Sequence, residues 1–187
     1  MTAAIEGSRG RPSTLDAARS GDLAAFEVVL RQHERMVLVT AMRLTGSIED
    51  ARDVSQEVFL RLYRNLARVE ASGLSSWLYR VTVNACHDLH RRSRPETTIE
   101  DVPEPRDPAA DPQQAVTDAE RRRVLQLSLR HLPEKERAAL VLRDLEGLST
   151  EEVARVLGSS EATVRSQICK ARVKVKAFVE RYFGRRS

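Results

Sequence analysis

Ser149-Thr-Glu-Glu-Val-Ala-Arg-Val-Leu-Gly158 runs directly into Ser159-Ser-Glu-Ala-Thr-Val-Arg-Ser-Gln-Ile-Cys-Lys-Ala-Arg-Val-Lys-Val-Lys176. Ser149 and Glu152 form a capping-box pair, in which a serine hydroxyl accepts from the third helical amide while the glutamate reaches back to the cap. The pattern predicts a short helix, Thr150 to Leu157, that buries Val153, Ala154 and Leu157. Gly158-Ser159 supplies a tight turn, and Ser160 caps a second helix whose buried stripe is Val164, Ile168, Ala171 and Val175. No acid occurs between Ala162 and Val179. A short capped helix, a glycine turn and a helix with an acid-free basic face make a helix-turn-helix suited to the major groove of DNA. Arg165 and Gln167 are the residue types that pair in bidentate fashion with guanine and adenine. Lys170, Arg172 and Lys174 are suited to phosphates.

Upstream, Pro133-Glu-Lys-Glu136 opens a helix with proline in its first turn and acids at the positive end of its dipole. It carries Ala138, Leu140, Val141, Leu142 and Leu145 and stops at Gly147. Another helical pattern runs from Ala119 to Leu132. Residues 95–118 differ in kind: they hold five of the seven prolines, one basic residue and seven acids. Such a stretch buries too little apolar surface to fold, and its prolines and like charges favour an extended linker.

The N-terminal half repeats the helical theme. Apolar positions from Leu23 to Leu44 recur at helical spacing before Gly46. Ala51, Val54, Val58, Leu62 and Leu66 then form a stripe that must be core. Ala67 to Ser75 reads as a loop, and Trp77, Leu78, Val81, Ala85 and Leu89 belong to a third helix that ends in Arg91, Arg92 and Arg94 before Pro95. Trp77 lies on the apolar stripe and is expected in the core. Aromatics make up only 4% of the chain, against the needs of a sandwich or barrel. The fold class expected is all-α, with two small helical domains joined by an acidic linker: a tail at 1–18, a domain at 19–94, the linker at 95–118 and a helix-turn-helix domain at 119–187.

Charge follows the same division. The net charge of +4 comprises 14 basic and 11 acidic residues in 1–94, one and seven in 95–118, and 16 and nine in 119–187. Two basic blocks around an acidic spacer suggest two polyanion-facing modules, since Lys and Arg supply most sequence-independent nucleic-acid affinity. Cys86 and Cys169 are far apart and lack the spacing of a metal or redox pair, so reduced thiols are expected. No stretch reaches the roughly 18 apolar residues of a membrane span, and the N-terminus has no apolar leader, so the expectation is a cytoplasmic protein without membrane contact.

With these segments in place, the chain resembles the extracytoplasmic-function (ECF) group of bacterial RNA polymerase sigma factors over residues 20–180. Three stretches carry the resemblance. They are Asp50-Ala-Arg-Asp-Val-Ser-Gln-Glu-Val-Phe59, Trp77-Leu-Tyr-Arg-Val-Thr-Val-Asn84 with Asp88 and Arg91-Arg92, and Leu142-Arg-Asp-Leu-Glu-Gly-Leu-Ser149 with Thr163-Val-Arg-Ser166. The resemblance implies a non-enzymatic factor, without cofactor or metal, whose partners are core RNA polymerase and promoter DNA, both duplex and melted. It puts the polymerase surface at Asp53, Gln56, Glu57, Leu60, Arg61 and Arg64. Melted minus-10 DNA falls to Tyr79, Arg80, Asn84, His87, Arg91 and Arg92, which supply the planar, amide and cationic groups that such a strand requires. The duplex minus-35 element falls to Ser160, Thr163, Arg165, Ser166, Gln167, Lys170, Arg172 and Lys174.

Family members are often held by an anti-sigma factor, which adds that partner, although no residue identifies one. The sequence departs from the family pattern at Leu74, where a phenylalanine is common nearby, at Gln167, where a basic residue is usual, and at Cys169, where a histidine is. Two rival readings remain at this point. A stand-alone helix-turn-helix regulator leaves the first 94 residues without a role. A metal enzyme built on His87 and His90 lacks further ligands at suitable spacing.

Overall fold

The computed structural model describes residues 14–93 and 118–184, and every regular element among them is helical. The extended path expected of the acidic linker lies outside the described residues. Thr14–Arg19 forms α1. Residues 1–18 were expected to be a tail, yet Leu15 and Ala18 are buried in the core, which offsets the ordering entropy of this short helix. Arg19 at its end donates from Nε to the Leu66 carbonyl at 3.2 Å and from Nη2 to the Val69 carbonyl. Helix α1 thereby props the loop ahead of the third long helix.

Helix α2, Leu23–Thr45, begins at Asp22, whose carboxylate accepts from the Ala24 and Ala25 amides. It ends at Gly46, whose φ of 78° is left-handed and open to glycine at little cost. The glycine matters twice, because the Arg130 side chain lies 2.9 Å from where a Cβ would stand. Ser47 then caps α3, Ile48–Asn65, and Ala51, Val54, Val58 and Leu62 are buried as the stripe predicts. The expected loop contains two single 3-10 turns, Leu66–Arg68 and Ala71–Gly73, and α4 spans Leu74–Ser93. Helix α4 packs on both α2 and α3, closing a three-helix module.

The second half comprises α5, Asp118–Arg130, α6, Glu134–Leu140, a wider turn over Val141–Leu145, α7, Thr150–Leu157, and α8, Glu161–Gly184. The capping box is complete, with the Ser149 hydroxyl accepting from the Glu152 amide at 3.1 Å and the Glu152 carboxylate accepting from the Ser149 amide at 2.7 Å. Gly158 at φ 59° turns the chain into α8, which packs on α5, α6 and α7.

The halves do not stand apart. Buried residues of both form one continuous cluster, with α4 against α7 and α2 against α5. Among the described residues no helix is long and apolar enough to cross a membrane.

Candidate nucleic-acid interface

On α3, the residues expected to meet polymerase share one flank. Asp53, Gln56, Leu60 and Arg64 are exposed. Leu60 keeps 44% of its surface in solvent and sets an apolar side chain among these polar ones. Glu57 accepts from Arg61 Nε at 2.7 Å, and the other side of that guanidinium lies 3.9 Å from Asp88 on α4. Beside this flank, Tyr63 is also exposed and meets Phe26 of α2 edge-on at 5.3 Å between ring centres.

On α4 the expected minus-10 residues divide. Arg80, Asn84, His87 and Arg91 recur at spacings of four, three and four, so they lie on a single face of the helix. Asn84 is exposed and has no hydrogen-bond partner among the described residues. Arg91 is anchored by Asp88 at 3.0 Å. Exposed Arg92 lies off this face, and Tyr79 turns away from it into the second half of the molecule. There Tyr79 Oη donates to Glu146 at 3.3 Å, and burial together with that carboxylate pushes its pKa up to about 12.

Trp77 is half-buried against the core, as its stripe position predicts, but its outer edge faces a cleft of about 220 Å³. Arg68, Glu70 and Arg80 line that cleft from the first half, and Arg155 and Val156 of α7 line it from the second. A second recess, of about 280 Å³, brings His87 and Arg91 to Glu134 of α6. His87 is half-buried with its Nε2 unpartnered, and burial holds its pKa below the usual value.

What holds the second half here is a set of polar side chains aimed at helix ends. Arg137, only 6% exposed, donates to the carbonyls of Leu44 at 2.5 Å, Arg130 at 3.2 Å and Leu132 at 3.0 Å. These carbonyls lie at or just beyond the last turns of α2 and α5, where backbone acceptors lack helical partners and carry negative dipole ends. Gln126 adds a bond to the Met42 carbonyl at 2.9 Å, and Arg43 pairs with Glu146 at 2.6 Å. Sequence reading missed this seam. Its signal was Arg137 itself, a charge four residues before Val141 on the apolar stripe of α6.

On α8 the expected minus-35 set also divides. Ser160 accepts from the Thr163 amide at 3.2 Å and its hydroxyl lies 2.8 Å from that of Thr163, so it serves as a cap. Arg165 pairs with Glu161 at 3.0 Å. Arg172 holds Asp144 through two bonds, at 2.8 and 2.7 Å, and Lys174 holds Glu136 at 2.9 Å. Gln167 is half-buried beside the packed stripe, with its Oε1 shut off from solvent. Ser166 and Lys170 are exposed, and Lys170 has no acidic partner among the described residues.

A three-helix module with a polar, leucine-bearing flank, followed by a helix-turn-helix, is the build of a sigma-70-type specificity subunit. Accordingly, the sigma-70 region 2 family matches residues 29–96, and the sigma-70 region 4 family matches residues 122–175. The ECF RNA polymerase sigma factor SigE of Mycolicibacterium smegmatis is 38% identical over 170 residues, covering 87% of this chain and 66% of that protein. SigM of Mycobacterium tuberculosis is 35% identical over 171 residues, 89% of this chain and 83% of that one. The sigma factor RpoE of Bartonella quintana, solved with the anti-sigma factor NepR, shares the fold at a TM-score of 0.65 and 21% identity, over 84% of this chain and 98% of its own. The chain belongs to the ECF group of RNA polymerase sigma factors: it directs promoter-specific initiation of transcription and is not an enzyme.

Proposed function

We propose that the two modules divide the promoter between them. Helix α8 reads the duplex minus-35 element, and the face of α4 formed by Arg80, Asn84, His87 and Arg91 holds melted minus-10 strand, with the Trp77 cleft beside it. The flank of α3 bearing Asp53, Gln56, Glu57, Leu60, Arg61 and Arg64 docks on core polymerase. The observation that carries this reading is the alignment of an exposed Asn84, without a hydrogen-bond partner among the described residues, with three nitrogen-rich side chains on one face of α4. An amide suited to a base edge thus sits among groups suited to a backbone.

On this reading the boundaries are region 2 within 19–94 and region 4 within 119–187. An anti-sigma factor is a further partner, supported by the shared fold with a sigma factor solved in complex with one.

The test is reconstitution with core polymerase on a cognate promoter. Asn84→Ala retains polymerase binding in gel filtration but lowers strand opening, read by permanganate reactivity of unpaired thymines, at least tenfold. Loss of polymerase binding in that variant removes Asn84 from the minus-10 role.

A further inference from the structure

Region 4 helices offer their longest cations as the obvious readers of sequence, yet on α8 most of those cations are occupied. Arg165 is tied to Glu161 on its own helix, Arg172 to Asp144 and Lys174 to Glu136. Lys176 lies 3.8 Å from Glu180. Gln167 is turned toward the packed side. The residues that point straight outward are others. Val164, Ile168 and Ala171 are buried, and the line displaced two positions toward the N-terminus, Ala162, Ser166 and Cys169, is exposed on the opposite side of the helix. One turn further on, Val173 continues that line and is 64% exposed.

We propose, resting on the assignment of α8 to the minus-35 element, that this outward line of short side chains is the base reader, and that it selects thymine through its 5-methyl group. Short side chains let the helix backbone seat deep in a groove about 12 Å wide. At that depth Cβ of Ala162 and the Cβ and Sγ of Cys169 present a small apolar surface. The apolar feature on the floor of the major groove is the thymine methyl. Ser166, between them, donates or accepts at either base type and adds little discrimination. Lys170, adjacent and without an acidic partner among the described residues, is placed to meet guanine O6 and N7. The paired arginines and lysines flank this line, where they meet the phosphate walls without reading sequence. The element selected therefore contains T·A pairs recognised by contact beside a single G·C pair.

The experiment starts from reconstituted holoenzyme and a promoter library randomised upstream of the spacer. Duplexes carrying the selected element are then synthesised with each thymine replaced in turn by deoxyuridine, which removes only the methyl. At one or more positions this substitution weakens wild-type binding about three- to fivefold, the effect of one buried methyl. Cys169→Asn abolishes the deoxyuridine sensitivity and changes the base selected at that position, and Arg172→Ala weakens binding on all sequences alike. Absence of deoxyuridine sensitivity at every position overturns the proposal. So does a Cys169→Asn variant that selects the same element with the same sensitivity. Failure of the holoenzyme to select any upstream element instead overturns the assignment of α8 itself, a different result that is read in the first step.

Discussion

Helices α4 and α8 are both proposed to meet promoter DNA, but the molecule packs them differently. Helix α8 buries one stripe and leaves the opposite side in solvent, whereas α4 is packed by α2 and α3 on one side and by α7 on another. The polar side chains of α4 accordingly meet the second half of the chain: Tyr79 meets Glu146, Arg80 shares a cleft with Arg155, and His87 shares a recess with Glu134. One of the two helices keeps an open side and the other is partly covered. The difference shows that a reading surface is defined by its neighbours as much as by its own residues.

The largest effect expected from breaking this asymmetry is at Arg137. Its guanidinium satisfies three carbonyls in a site that excludes water. Arg137→Met leaves those acceptors buried and unpartnered, and urea denaturation should show a loss on the order of 3 kcal/mol. If the seam is what covers α4, the variant also exposes α4 amides to hydrogen exchange while α8 amides in the first turns change less. Equal gains in both helices would break the comparison.

Glu146→Gln comes next, because it weakens the pair with Arg43 and the bond from Tyr79 together. Arg43 is partly exposed, so solvent screens that pair, and the combined cost is about 1 kcal/mol. A sharper readout is the phenol. Without the carboxylate, Tyr79 should titrate below about 12, while burial, the larger cause, still holds it above 10.0; the change is visible as an earlier rise in ultraviolet absorbance that Tyr79→Phe abolishes.

A smaller effect should come from His87. Burial lowers its pKa from 6.5, with Glu134 and Asp88 opposing and His90 and Arg137 reinforcing the shift. The folded chain thus favours the neutral imidazole, and the unfolded chain binds the proton first as pH falls. Its contribution to stability is intact above about 6.5 and is lost as pH falls from there toward the lower folded value. His87→Gln should flatten the decline in Tm between pH 7 and pH 5, and an unchanged slope would place the pH sensitivity elsewhere.

The helix-turn-helix was legible because its signals are local: the Ser149 and Glu152 cap, the Gly158 turn and the stripe from Val164 to Ala171 all fall within one stretch. The α3 stripe was legible for the same reason. The seam was not, because Arg137 finds its partners on Leu44, Arg130 and Leu132, and no pattern within α6 names a carbonyl 93 residues away. The half-burial of Gln167 was not legible either. This residue lies one position from the centre of the buried stripe, and only the packing of α5, α6 and α7 against α8 decides whether such a residue faces in or out. Arg19, next to the expected tail, shows the same limit, since its role in holding the Leu66–Val69 loop depends on where α1 docks.

The two cysteines give the mildest probe of the comparison, because each reports from one of the two helices. Cys86 on α4 is 4% exposed, and burial pushes its thiol up to about 12, partly offset by nearby Arg137. Cys169 on α8 is exposed on the outward line. Thiolate is the reactive form, so a maleimide at pH 7 should label Cys169 within minutes and leave Cys86 unmodified. Arg137→Met, by loosening the seam, should bring Cys86 into reach without altering the rate at Cys169, and promoter duplex bound to holoenzyme should protect Cys169 alone. Labelling of both thiols at similar rates in the unaltered protein would mean that α4 is as open as α8, and the asymmetry between the two helices would be lost.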